Sequence, residues 1–239
     1  MPHGDRPTRR LRSYANAMRP SHEMIIEPEL RPLLRGMSHA YAFWVALVAA
    51  VVLTALVPAG TPRVASVVYG LGLCGLFAAS GSYHRWRFDP RWRPLLRRID
   101  HSTIFVFIAA SYTPVALLVM HGTPRWVILA AVWTGALGGV ILSVAWITAP
   151  RVLSAICYLA LGWTVVFALP QMIDALSIAP LVLLAVGGLL YSLGAVVYAT
   201  KRPNPWPAVF GFHEVFHALV IAAAAVQFIA LAGWVFPAG

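Results

Sequence analysis

The stretch from Val209 to Phe236, VFGFHEVFHALVIAAAAVQFIALAGWVF, decides the fold. It is longer than the roughly 20 mostly apolar residues that a helix needs to cross a bilayer. Yet its first turns carry His213, Glu214 and His217. Ionisable residues in a lipid-embedded helix are rare and mark function. His213 and His217 are four apart, so on a helix one lies above the other. That is a geometry in which two imidazoles can bind one metal ion.

Six further apolar runs precede this one: Ala40–Val57, Val64–His84, His101–Met120, Trp126–Ile147, Leu153–Met172 and Ile178–Thr200. Breaks containing proline or glycine separate most of them, at Pro58–Pro62, Gly122–Pro124, Thr148–Pro150 and Pro203–Pro207. The reading is an all-α polytopic membrane protein, a bundle of seven transmembrane helices over residues 39–239. Residues 1–38 form an arginine-rich tail, expected to be largely disordered, with Met24–Arg35 lying on the membrane surface. There is no internal repeat and no second domain.

Composition agrees. The chain has 239 residues, 60% hydrophobic and 11% charged, with a mean hydropathy of +0.76. That is too apolar for a soluble globular domain. A net charge of +10 invites a nucleic-acid reading. The charges, however, crowd between apolar runs, as membrane topology requires, and nucleic-acid binding is set aside on that ground. Cys74 and Cys157 lie inside apolar runs and form no CxxC pair. They read as small buried residues rather than a disulfide framework. No secretory signal is apparent, because about 38 polar residues precede the first run. Insertion is expected through the helices themselves.

Lys and Arg set the direction. Seven arginines precede the first span, six follow the second, Arg151 follows the fourth, and Lys201 and Arg202 follow the sixth. These segments share one side and hold 16 basic residues, against Arg63 and Arg125 on the other. The N-terminus is therefore expected in the cytoplasm and the C-terminus outside, which fits an odd number of spans.

With that direction, the unusual polar residues gather at one end. His84 ends the second span, Asp100 opens the third, and His213 and His217 begin the seventh, all at the cytoplasmic side. Three histidines and a carboxylate at one membrane depth are the inventory of a zinc site, since neutral imidazole suits zinc. Ser80 lies four residues before His84, on the same helix face. It can hydrogen-bond a ligand, water or substrate oxygen, or simply let helices pack closely. Asp100 reads as a partner of the metal site or a base acting on water there, with an N-cap as the plainer alternative. His101 points about 100° away from Asp100 on a helix and is a weaker ligand candidate. His3, His22, His39 and His121 are read as tail, edge or opposite-face residues.

His213-Glu214-x-x-His217 also fits the H-E-x-x-H pattern of zinc proteases, in which the glutamate is the general base. The 22 residues after His217 contain no His, Asp, Glu or Cys, so the third ligand would have to come from upstream, with Asp100 the candidate. A second likeness covers more of the chain. Ser80-x-x-x-His84, Asp100-His101-Ser102, Ser111-Tyr112-Thr113-Pro114 and His213-x-x-x-His217, in that order, resemble the haemolysin III branch of the progestin and adipoQ receptor family. The resemblance runs from about Ser38 to the C-terminus. The long arginine-rich tail departs from the short tail of bacterial members.

The resemblance implies a seven-helix bundle with zinc near the cytoplasmic face of a bacterial inner membrane. It implies His84, His213 and His217 as ligands, Asp100 as holder of a water at the metal, Ser80 beside them, and Glu214 as structural. The eukaryotic relatives are linked with ceramidase-type hydrolysis, and membrane-embedded alkaline ceramidases resemble this zinc arrangement. Zinc-dependent hydrolysis of a membrane lipid amide is thus one expectation, with Asp100 and Ser80 as catalytic residues. A non-enzymatic protein of lipid sensing or membrane homeostasis, with structural zinc, is the second. A cavity running from the zinc into the bundle separates the first from the second, because a catalytic zinc keeps an open position. A cytolytic or channel role is the third, although no row of charges lines several spans as a pore would need.

Overall fold

The computed structural model describes residues 32–86 and 89–238. Its elements are helical throughout: α1 Met37–Leu56, α2 Thr61–Arg85, α3 Arg93–Leu118, α4 Gly122–Ala145, α5 Arg151–Gly162, α6 Leu169–Ala175, α7 Ile178–Thr200 and α8 Phe212–Ala230. No strand occurs among the described residues. The arginine-rich tail expected to be disordered falls, up to Arg31, outside the described residues.

Six helices are each long and apolar enough to cross a membrane. The fifth expected span, Leu153–Met172, is not one straight helix. α5 passes into a 3-10 turn, Trp163–Phe167, and α6 follows at a 50° bend. Pro170 stands in the first turn of α6. It has no N–H for the helical ladder, and its ring clashes with the carbonyl four residues back, so the run breaks there. Counted as one bent span, the pair brings the total to seven. The protein is an all-α polytopic membrane protein.

The exterior is apolar because lipid is the solvent. Val45, Val48, Val52 and Leu56 of α1 and Val182, Val186, Leu189 and Leu193 of α7 are exposed. Lipid is as apolar as leucine, so helices associate through small residues that let backbones approach. A Cβ built on Gly72 of α2 would stand 2.5 Å from the Ala110 Cβ of α3. One built on Gly81 would stand 3.1 Å from the backbone N and Cα of Ala40. That second contact holds the start of α1 against the end of α2.

Two boundaries shift in ways that matter to the polar cluster. α3 begins at Arg93, with Pro94 in its first turn, rather than at His101. Asp100 therefore lies two turns inside the helix and is not an N-cap. The last helix starts at Phe212, three residues after the apolar run begins. Val209 and Phe210 lie in a turn closed by the Phe210 N–H donating to the Trp206 carbonyl, 2.7 Å. The Leu33 and Leu34 amides donate to the Ala208 and Val209 carbonyls at 3.0 and 3.2 Å. This clip ties the segment before α1 to the segment before α8.

Candidate metal centre

The start of α8 is fixed by polar contacts. The Phe212 amide donates to Asn204 Oδ1 at 2.9 Å, and the Gly211 amide donates to Glu214 Oε2 at 2.8 Å. These satisfy donors that a helix start leaves without intrahelical partners. The turn so formed directs His213 and His217 toward the last turn of α2. Just before α1, Gly36 adopts φ +76°, and a Cβ there would meet the His84 Cβ at 2.6 Å. Only glycine combines that backbone with that proximity. The chain thus closes over His84 from the α1 side.

His84 Nε2 and His213 Nε2 are 3.0 Å apart. One ring nitrogen from each of His84, His213 and His217 lies within 4.8 Å of the others. Zinc–nitrogen bonds of about 2.0–2.1 Å at tetrahedral angles place ligand atoms about 3.3 Å apart. The His84–His213 pair is near that spacing, and the trio as a whole, within 4.8 Å, is a group that could hold a metal ion; imidazole donors suit a borderline metal. A simple hydrogen bond between His84 and His213 would satisfy only one nitrogen of each. His217 is 1% exposed, and its Nδ1 has no hydrogen-bond partner among the described residues.

The other residues singled out in the sequence surround the trio. Asp100 Oδ2 lies 3.5 Å from His84 Nε2, and Ser80 Oγ lies 3.4 Å from His217 Nε2. Both side chains are buried. His101 lies beside the cavity described below but outside the group of three. Its carbonyl accepts from the Tyr158 hydroxyl at 3.4 Å.

Glu214 is not placed as a general base. Its Oε1 pairs with Arg35 Nε at 2.6 Å while its Oε2 accepts the Gly211 amide. The carboxylate is 2% exposed and committed to holding the helix start and the segment before α1. Both carboxylate oxygens of the literal H-E-x-x-H match are thus engaged away from the histidines, and Asp100 is the carboxylate that lies against His84.

His39, expected from the sequence at the membrane edge, is instead part of the buried cluster. Here it is 2% exposed, and its ring lies flat on His217, with centroids 3.8 Å apart and planes 13° apart. The signal was present. The first span starts at the same side as the other polar residues, so the same topology argument that gathered His84 and His213 reaches His39.

A cavity of about 420 Å³ opens from the cluster into the bundle. His39, Ser80, Asp100, His101, His213 and His217 line one end. Ten residues separate His217 from Gln227, which also lines it, so the cavity runs about 15 Å along α8. Between these ends the walls are mainly apolar, among them Ile104, Phe107 and Leu184. The break in the fifth span contributes Gly162, Trp163 and Val166. The Gly162 carbonyl at that break accepts the Tyr112 hydroxyl. At the deep end, the Tyr191 hydroxyl donates to Gln227 Oε1 at 3.4 Å.

The sequence is similar to several known proteins. The family model described as haemolysin-III related matches residues 29–228. Hemolysin-3 of Bacillus cereus is 31% identical over 174 residues, covering 73% of this chain and 76% of that protein. A hemolysin-3 homolog of Bacillus subtilis (strain 168) is 32% identical over 165 residues, covering 69% and 74%. The human monocyte to macrophage differentiation factor is 29% identical over 209 residues, covering 81% and 80%.

Proposed function

Because the chain belongs to the haemolysin III-related family, and with it to the progestin and adipoQ receptor family, we propose that His84, His213 and His217 hold a zinc ion. The protein is then a zinc-dependent hydrolase of membrane lipid amides. The observation that carries this reading is the apolar cavity opening directly off the histidine cluster. A purely structural zinc needs no such space, and a catalytic one needs an open position.

Zinc bound there would supply Lewis-acid polarisation and lower the pKa of water to about 7. The chain's own residues do the rest. The apolar walls take the hydrocarbon chain and exclude water from it, which orients the amide group toward the histidines. Asp100 Oδ2 accepts a proton from the attacking water and returns it to the amide nitrogen as the carbon–nitrogen bond breaks. One water and one amide thus become a carboxylic acid and an amine. Ser80 Oγ–H donates to the carbonyl oxygen as negative charge develops on it.

We place the protein in a bacterial inner membrane with the cluster facing the cytoplasm, from the 16-to-2 distribution of basic residues between the two sides. A cytolytic role has less support, because the polar side chains named above gather at one end of the bundle rather than along a pore.

The test is direct. Purified protein loaded with zinc is incubated with N-acylated lipids of several head groups, and released fatty acid is quantified by mass spectrometry. Turnover that a chelator abolishes and added zinc restores is the expected result. Zinc-loaded, folded protein that releases no fatty acid from any amide would leave zinc with a structural role and remove the hydrolase reading.

A further inference from the structure

We propose that His39 is a positioning residue that holds the His217 ring in register for the metal by stacking on its face. This rests on the zinc reading above and names a residue that reading does not use.

A metal-ligating histidine is ordinarily oriented by its second ring nitrogen, which donates to a carboxylate, a carbonyl or water. His217 lacks that support. Its Nδ1 is buried and has no hydrogen-bond partner among the described residues, while its Nε2 faces Ser80 Oγ at 3.4 Å. Without another constraint the ring would be held on one side only. The His39 ring supplies the constraint, lying 3.8 Å from His217 and within 13° of parallel.

His39 is itself wedged. Its other neighbour is the edge of Phe77, with centroids 5.1 Å apart and planes at 67°. The close approach of Gly81 to Ala40 fixes the helix that carries it. Rings from α2, α1 and α8 thus pack in sequence, Phe77 edge-on against His39 and His39 stacked on His217. Among the described residues neither nitrogen of His39 has a hydrogen-bond partner, so its contribution comes from the ring face. Metal binding draws electron density out of the His217 ring. A neutral aromatic face laid against an electron-poor ring is favoured for the same reason that it attracts a cation.

The test measures zinc affinity by competition with a chromophoric chelator, in wild type, His39→Ala and His39→Phe. The cobalt-substituted forms are compared by visible absorption, which reports coordination geometry. His39→Ala is expected to bind zinc about 10–100-fold more weakly, as removal of an orienting partner does elsewhere. Its cobalt spectrum should change. His39→Phe keeps a flat ring without nitrogens and is expected to restore both affinity and spectrum. Unchanged affinity in His39→Ala would overturn the proposal. So would a His39→Phe protein as weak as His39→Ala, because the nitrogens rather than the stack would then matter. Should His39→Ala fail to fold, His39→Phe decides alone: wild-type affinity supports the stack, and lost affinity overturns it. Wild type without zinc would overturn the zinc reading and this inference with it, a result distinct from a zinc-loaded wild type indifferent to His39.

Discussion

Asp100→Asn is expected to lower the proposed lipid-amide hydrolysis by about 10²–10⁴-fold, the usual worth of a positioned general acid–base, while zinc content stays at the wild-type level. The reason is geometric. Asp100 Oδ2 is 3.5 Å from His84 Nε2, close enough to serve a reaction at the metal, yet Asp100 is not one of the three clustered nitrogen donors. Asparagine keeps the size and one carbonyl acceptor but cannot take a proton at neutral pH. Rate and metal content are read on the same sample, by fatty-acid release and elemental analysis. Loss of zinc together with activity would make Asp100 a ligand instead. An unchanged rate would remove it from the mechanism. The plainer alternative, a charge at a helix start, has no place here because α3 begins seven residues earlier.

Arg35→Ala is expected to destabilise the protein by about 3–5 kcal/mol, the scale on which removing the partner of a buried charge costs. Glu214 would keep its bond from the Gly211 amide but lose the guanidinium 2.6 Å from its other oxygen. A carboxylate only 2% exposed would then carry an uncompensated charge. Glu214→Gln is expected to cost less, because the Arg35 side chain is 22% exposed and can reach solvent. Arg35→Ala combined with Glu214→Gln should recover much of the loss, a coupling that a double-mutant cycle measures. Thermal unfolding in detergent reads all three variants. The protease-like reading predicts the reverse: Glu214→Gln would abolish activity without affecting stability. That outcome would restore Glu214 as base.

The legible part of this molecule was whatever hydropathy and charge encode. Seven apolar runs, with the basic residues in alternate connecting segments and so on one side, point to the fold class. The same alternation brought Ser80, His84, Asp100, His213 and His217 to one end before any contact was known. What escaped depends on packing. Leu153–Met172 reads as a uniform apolar span, but Pro170 and the 3-10 turn after Gly162 bend it and open one wall of the cavity. Hydropathy cannot distinguish a straight helix from a broken one. His39 opens the first span on the side where the other polar residues gather, but its stacking on His217 is a matter of packing. Its place beside His217 follows from the Gly81–Ala40 contact between α1 and α2. Glu214 shows the opposite failure, a local pattern that matched a catalytic motif while tertiary contacts assigned the side chain to Arg35 and the helix start.

That three histidines from two helices hold one zinc ion is a proposal that zinc content per protein decides, in wild type and in His84→Ala, His213→Ala and His217→Ala, purified without chelators. About one zinc is expected in wild type, as a three-histidine site with one open position would hold, and its loss is expected from each variant that still folds. Wild type without zinc, or three folded variants with undiminished zinc, would contradict it.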